Sequence, residues 1–399
     1  MKKKVLFLIH TLQVGGAEKV LVNLVNKMDK NKFDITVMTV INTGAFRNEL
    51  NNDIKYDSII KLKILNKINR YREKIRNVEK SGNLFDKKSK VKEILAKIYK
   101  MFWRNIDISW VYKKTIKDRY DIEIAFLEGI ATKIIANSNN ERSKKIAWIH
   151  VDLLKENKTD KFFKNINEEK EIYNKFNKIV CVSEIVEEQF EKKLNYDFKK
   201  VCVKYNPIDQ INIKNKALEE IKIVKKRFTF CTIGRLSTQK GYDRLIKVVS
   251  KLNKCNLEFD VWIIGVGIEE EKLKKLILKL NTKNVKLLGY KQNPYPYIKL
   301  ADCFVCSSRA EGFSTVVSEA IILEKPIITT QCSGMEELLG KNSEYGLICE
   351  NSEEALYEAM YKFITNRNVI EKYEKNIKDR KKIFDIDKSV KEIEKLINQ

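Results

Sequence analysis

Short, unbroken apolar runs alternate with helical patterns from one end of this chain to the other. Val5–Ile9, Ile35–Val40, Ile122–Phe126, Ile146–Ile149, Ile179–Val182 and Val201–Val203 read as buried strands of a first half. Phe228–Ile233, Val261–Ile264, Val285–Leu288, Cys303–Cys306, Ile327–Thr329 and Gly346–Cys349 read as those of a second. Runs without polar alternation are what parallel strands covered on both faces require, because a strand with one wet face alternates. Between them, Leu21, Leu24, Val25 and Met28, and again Leu245, Val248, Val249 and Leu252, recur at i, i+3/i+4, i+7, the stripe of a helix packed on a sheet. The pattern predicts an α/β chain of two Rossmann-like doubly wound domains, and 399 residues suffice for each to bury its own core.

The boundary falls at the turn signal Asn206-Pro207-Ile208-Asp209, which precedes polar, Lys-rich chain. The expected domains are 1–206 and 207–381, followed by a final helix over 382–399 that returns to the N-terminal domain. Residues 61–118 show no clear strand and read as a basic, helical insertion with Phe102, Trp103 and Trp110 near its end.

The formal net charge is +24, and residues 61–104 alone hold 15 Lys/Arg against 4 Asp/Glu. A basic field attracts nucleic acid, anionic membrane or phosphorylated ligands, and its sign does not separate them. Lys, Asn and Ile are abundant throughout, so biased composition accounts for part of the charge. No RNA- or DNA-reading motif accompanies it, so no specific nucleic-acid partner is expected. A hydrophobic content of 43% excludes disorder as the main state. Val5–Ile9 is too short for the apolar region of a signal peptide, and no stretch approaches the roughly 18 apolar residues needed to span a bilayer. A cytoplasmic location is expected, with any membrane association peripheral. The cysteines then read as reduced core residues. Cys303 and Cys306 lie on a predicted strand without a second pair or nearby His to complete a zinc set, and Cys181, Cys202 and Cys231 also fall in strand-like runs.

Three loops carry the chemistry. After the first strand, Thr11-Leu12-Gln13-Val14-Gly15-Gly16-Ala17-Glu18 opens a helix whose unsatisfied amides point at anionic groups, although glycines there also serve turn geometry alone. Phe228–Ile233 ends in Gly234-Arg235-Leu236, and Gln239-Lys240-Gly241 precedes the next helix. Ligands of open α/β sheets bind beyond the carboxyl ends of the strands, so a guanidinium and an ammonium stand where a diphosphate fits. Strand Cys303–Cys306 then feeds Glu311-Gly312-Phe313-Ser314-Thr315-Val316-Val317-Ser318-Glu319. Ser314 or Thr315 is expected to cap a helix that buries Val316, Ala320 and Leu323. A helix N-terminus with two cations stabilises a departing diphosphate without metal, and two carboxylates hold sugar and ribose hydroxyls.

Glu-x₇-Glu after such a loop, with Gly-Arg and Lys-Gly upstream and Gly-Gly-Ala-Glu near the N-terminus, resembles the retaining family 4 glycosyltransferases (glycosyl transferases group 1) of bacterial surface polysaccharides. Their two domains face each other across a cleft in the GT-B fold. Val182-Ser183-Glu184, Tyr205-Asn206-Pro207-Ile208-Asp209, Gly265-Val266-Gly267, Leu288-Gly289-Tyr290 and Ala301-Asp302-Cys303-Phe304-Val305 extend the likeness over most of the chain, with roughly 45–120, the acceptor-facing region, covered least. The resemblance implies catalytic roles for Glu311, His150, Arg235 and Lys240. Arg235 and Lys240 would bind the diphosphate, Glu319 the ribose and Glu311 the transferred sugar. Gly15, Gly16, Gly312, Phe313, Ser314 and Thr315 would complete the donor cradle, and the loop with Tyr290 would receive the base. His150, ending Trp148-Ile149-His150, matches the family's N-domain histidine better than His10 does.

The resemblance further implies a hexosyltransferase that needs no metal or cofactor and uses a nucleotide-sugar donor. Its acceptor would be a saccharide or lipid-linked saccharide, and the basic insertion would meet acceptor or anionic lipid. Two carboxylates also suit a double displacement, but no placed nucleophile is evident, and a same-face reaction is preferred. Asp385-Ile386-Asp387 matches the metal-binding Asp-x-Asp of other glycosyltransferases, yet its place beside the final helix fits capping better. Gly265-Val266-Gly267 lacks the third glycine of a dinucleotide site. A nucleotide-sugar epimerase of the same fold is the first rival, and a basic nucleic-acid-binding protein the second.

Overall fold

Each apolar run becomes a strand, several lengthened where polar flanks join the ladder. The computed structural model describes residues 1–60, 100–156, 159–195 and 199–399. The chain divides into two units. The first comprises Met1–Cys181, Glu187–Val203 and Leu396–Gln399; the second comprises Val182–Val186 and Lys204–Lys395.

The first unit holds β1 (Lys3–Ile9), β2 (Phe33–Ile41), β3 (Lys55–Ile60), β4 (Ile122–Ala125), β5 (Lys144–Ile149), β6 (Lys178–Cys181) and β7 (Val201–Val203). They form a parallel sheet in the order β3-β2-β1-β4-β5-β6-β7. The order reverses beside β1, which creates a crevice between the carboxyl ends of β1 and β4. Strand β3 was not expected: Lys55-Tyr56-Asp57-Ser58 breaks the apolar pattern. An edge strand pairs on one side only and tolerates polar residues, and here Lys55 meets Asp34 at 2.8 Å while Tyr56 Oη meets Thr39 Oγ1 at 2.8 Å.

The second unit holds β8 (Phe228–Ile233), β9 (Phe259–Ile264), β10 (Val285–Gly289), β11 (Cys303–Cys306), β12 (Ile327–Thr330) and β13 (Leu347–Cys349). Their parallel order is β10-β9-β8-β11-β12-β13, so the reversal lies between β8 and β11.

Helices cover these sheets as their stripes predict. In Gly16–Lys27, Leu21, Leu24 and Val25 are fully buried, as are Leu245, Val248, Val249 and Leu252 in Tyr242–Asn253. Each such side chain contributes roughly 1.5–3 kcal/mol relative to exposure. Lysines also satisfy helix ends: Lys30 Nζ donates to the carbonyls of Val25, Asn26 and Met28 after the first helix.

Residues 61–99 of the basic insertion, including Lys87, Lys88, Lys90 and Lys92, lie outside the described residues. Of its aromatics, Trp103 is buried while Phe102 and Trp110 are exposed. Cys181, Cys231, Cys303 and Cys306 are buried free thiols, and Cys202 is half-buried. Among the described residues no helix is long and apolar enough to cross a membrane. Asp385 caps the final helix, its Oδ1 accepting from the Lys388 amide at 3.0 Å. Within the first unit, Lys144 Nζ donates to the Leu396 carbonyl at 2.7 Å.

Candidate active site

The carboxyl ends of β8, β9 and β10 are tied into one rim by their backbones. Gly234 N donates to Ile264 O (3.0 Å), Leu236 N to Val266 O (3.0 Å) and Gly265 N to Gly289 O (2.9 Å). A Cβ on Gly265, whose φ is +141°, would lie 2.0 Å from Gly234 O, and one on Gly267 would lie 2.2 Å from Leu236 O. These glycines are therefore needed for close passage of two loops. Arg235 leaves this rim with an exposed side chain, and Tyr290, just past Gly289, is also exposed.

Beyond Leu236 a short turn, Thr238–Lys240, leads to Gly241 at φ +66°. Any side chain on Gly241 would strike Ser307 O at 2.1 Å, so the turn lies directly against the loop after β11. Arg309 N donates to Gln239 O (2.7 Å) and Ser307 Oγ to Lys240 O (2.9 Å). This contact delivers Lys240 Nζ to within 2.6 Å of Glu311 Oε1, and Ser308 Oγ reaches the same oxygen at 2.5 Å. The Glu311 side chain is 9% exposed and that of Lys240 19%, so the pair is only lightly screened by water.

Glu311 leads into the helix Thr315–Ile322. Ser314 stands at its N-cap position as expected, but its side chain makes no capping hydrogen bond. Its Oγ is buried without a partner, while its carbonyl accepts from Ser318 N and Ser318 Oγ, both at 3.1 Å. The buried face also differs from the one anticipated. Val317, Ala320, Ile321 and Ile322 are buried, whereas Val316 and Leu323 are half-buried, because the helix is enclosed on more than one side. Glu319 belongs to this buried face, at 3% exposure. Gly312 is pressed from behind by Gly334 (φ +73°), whose Cβ would lie 2.3 Å from Gly312 O. Phe313 is buried beside the Tyr205 ring at 5.4 Å, and Thr315 is half-buried. First-turn amides of a helix have no acceptor within it, so this end, with an orphan hydroxyl beside it, can receive an anion.

In the first unit Gly15 is the extended N-cap residue of the helix that Gly16 begins, with buried Glu18 in its first turn. His150 follows β5 and is buried against the Phe126 ring, with centroids 5.0 Å apart. Its amide donates to Glu128 Oε2 at 3.0 Å, and its Nε2 has no partner. Burial lowers its pKa to about 3 against an opposing hydrogen bond to the Phe126 backbone, so the imidazole is neutral near pH 7. His10, which follows β1, is lowered to about 4 by burial and by Lys161.

The second unit thus brings Lys240, Glu311 and the Ser314 helix end together around the β8–β11 reversal, with Arg235 at the same carboxyl edge. Gly15, Gly16 and His150 are placed in the first unit. Sequence reasoning passed over Arg244, Asn351 and the Asp243–Arg309 pair, whose two hydrogen bonds are 2.7 and 2.8 Å. One signal was present: Arg244 stands four residues before Val248, on the buried stripe of its helix.

Solved structures share this architecture. Anabaena HepE in complex with UDP and glucose aligns over the whole of both chains with a TM-score of 0.70 at 16% identity. Staphylococcus aureus TarM does so with the same values. Residues 213–382 match the family model of glycosyl transferases group 1. An uncharacterised glycosyltransferase of Methanocaldococcus jannaschii is 29% identical over 79% of this chain and 87% of its own. The chain is a glycosyltransferase of the GT-B fold, its second unit matched to glycosyl transferases group 1. Among its relatives is the N-acetylgalactosamine-N,N'-diacetylbacillosaminyl-diphospho-undecaprenol 4-alpha-N-acetylgalactosaminyltransferase of Campylobacter jejuni. It is 29% identical over 73% of this chain and 76% of its own.

Proposed function

We propose that this enzyme transfers a hexose-type sugar, with retention of configuration, from a nucleotide-diphosphate sugar to a hydroxyl of a lipid-linked saccharide during assembly of a bacterial surface polymer. The observation that carries the reading is the Lys240–Glu311 pair beside the unpartnered Ser314 Oγ, a cation, a carboxylate and a helix end gathered at one sheet reversal. Arg235 and Lys240 bind the diphosphate, assisted by the amides of Phe313 and Ser314. Glu319 binds the ribose, the loop with Tyr290 the base, and Glu311 the transferred sugar. The lipid-linked acceptor is supported by the Campylobacter relative's name, and an enzyme acting on such an acceptor works at the inner face of the membrane.

In the proposed step the bond from the anomeric carbon to the diphosphate oxygen breaks while the acceptor oxygen bonds to the same face of that carbon. The acceptor proton passes to the departing phosphate oxygen, and the cations and helix amides stabilise the charge left there without a metal. The test incubates the protein with nucleotide-sugars and polyprenyl-diphosphate saccharides, reading product mass and anomeric configuration. A saccharide enlarged by one sugar in the donor's configuration supports the proposal. An isomerised donor sugar formed without acceptor identifies an epimerase instead, and an inverted product removes the retaining step.

A further inference from the structure

Four successive carbonyls of the loop that carries Glu311 are held by side-chain donors. Ser307 O accepts from Arg244 Nε (2.9 Å) and Nη2 (2.6 Å), and Ser308 O from Arg244 Nη2 (2.7 Å) and Thr330 Oγ1 (2.6 Å). Arg309 O accepts from Asn351 Nδ2 and Ala310 O from Gln239 Nε2, both at 3.0 Å. Asn351 is itself anchored by Arg244, whose Nη1 donates to its Oδ1 at 2.6 Å. One guanidinium therefore fixes two carbonyls directly and a third through Asn351.

Arg244 is 6% exposed, and among the described residues no carboxylate accepts from it; every acceptor is a carbonyl, an amide or a hydroxyl. Burying a charge without an opposite charge is unfavourable, and an apolar side chain of similar volume would avoid that cost in a core that only needed filling. The position instead uses what the fork provides, which is several donors in one rigid plane. What that plane immobilises is the segment from which Ser308 Oγ and the Glu311 carboxylate project toward Lys240.

We propose that Arg244 is a positioning residue of the donor site: by fixing the Ser307 and Ser308 carbonyls it sets where Glu311 meets the transferred sugar. The proposal rests on the functional reading above for the identity of the ligand. A lysine cannot replace the fork, because one nitrogen does not reach both loop carbonyls and Asn351 together.

The test uses full-length Arg244→Lys and Arg244→Met, the first being the milder change should the second fold poorly. Amide exchange is read over residues 307–314 and over β8 and β9. Turnover is read as nucleoside diphosphate released from whichever nucleotide-sugar the wild type uses, alongside the Kd of the corresponding free nucleoside diphosphate. Exchange in the loop should rise about tenfold or more in both variants while β8 and β9 stay protected. Turnover should fall by about 10- to 100-fold while the nucleoside-diphosphate Kd changes by less than about threefold, because misplacing Glu311 affects the sugar and not the diphosphate. A loop that stays protected in a fully active variant overturns the Arg244 proposal alone. Loss of protection across the whole second sheet, with turnover and Kd worsening together, also overturns it and leaves Arg244 a support of the fold. A wild type that binds and turns over no nucleotide-sugar overturns the functional reading, and the donor role of Arg244 with it.

Discussion

Lys240 Nζ and Glu311 Oε1 lie 2.6 Å apart across the two loops that flank the β8–β11 reversal. The ammonium is held by a carboxylate that is itself fixed by Ser308 Oγ. If the diphosphate belongs to Lys240 and the sugar to Glu311, neutralising the carboxylate separates the two. Glu311→Gln leaves the ammonium without its competing anion, so nucleoside-diphosphate affinity should hold or tighten. Turnover of the nucleotide-sugar should fall by about 100-fold, the scale of losing one charged contact to the transition state. Calorimetric Kd measured beside turnover decides the point; a parallel loss of both places Glu311 on the diphosphate instead.

Ser314 offers a stability measurement with an unusual expectation. Removing a capping serine ordinarily costs about 1 kcal/mol. Here the Oγ is buried and makes no bond, so Ser314→Ala removes an unsatisfied polar atom, and the ligand-free protein should be as stable as wild type or more so. Nucleoside-diphosphate binding should weaken by roughly 10- to 150-fold, the value of one hydrogen bond to a charged group. Thermal melts with and without ligand check both halves. A clear drop in ligand-free stability would show that the hydroxyl caps its helix after all.

Acid should weaken the fold partly through the two histidines. Burial lowers His150 to about 3 and His10 to about 4, both from 6.5. Because the folded values lie below the unfolded one, the unfolded chain binds more protons over the interval, and stability falls as pH drops below 6.5. Above that both states are neutral and no effect remains. In His150→Gln, proton uptake on unfolding near pH 5 should be smaller by about one, and the loss of melting temperature between pH 7 and 5 shallower. Identical slopes for the two proteins would contradict the neutral, buried state of His150.

Both sheets were legible because their strands are covered on two faces and leave unbroken apolar runs, as Phe228–Ile233 and Cys303–Cys306 do. Strand β3 was not, because an edge strand carrying Lys55 and Asp57 has no such signature. Arg235, Lys240 and the glutamates of the Glu311–Glu319 segment could be placed from strand ends and from family resemblance. The Lys240–Glu311 contact could not, since it depends on Gly241 letting one loop pass against Ser307 O. Arg244 reads in sequence as one more cation in a basic chain. Its spacing from Val248 puts it on the buried stripe, but its partners are set by where the chain after β11, β12 and β13 converges, which no local pattern records. The missing Ser314 cap is of the same kind: spacing locates the N-cap position but not the direction of its hydroxyl.

Everything proposed above depends on the second unit binding a nucleotide-sugar through Arg235, Lys240 and Glu319. Ligands that bind the native state raise its melting temperature, so the direct measurement is thermal shift across a panel of nucleotide-sugars for wild type, Arg235→Ala and Glu319→Ala. At least one nucleotide-sugar should stabilise the wild type, and each variant should melt near the wild-type temperature without ligand but lose most of the shift. No shift with any nucleotide-sugar, or the same shift in all three proteins, would contradict it.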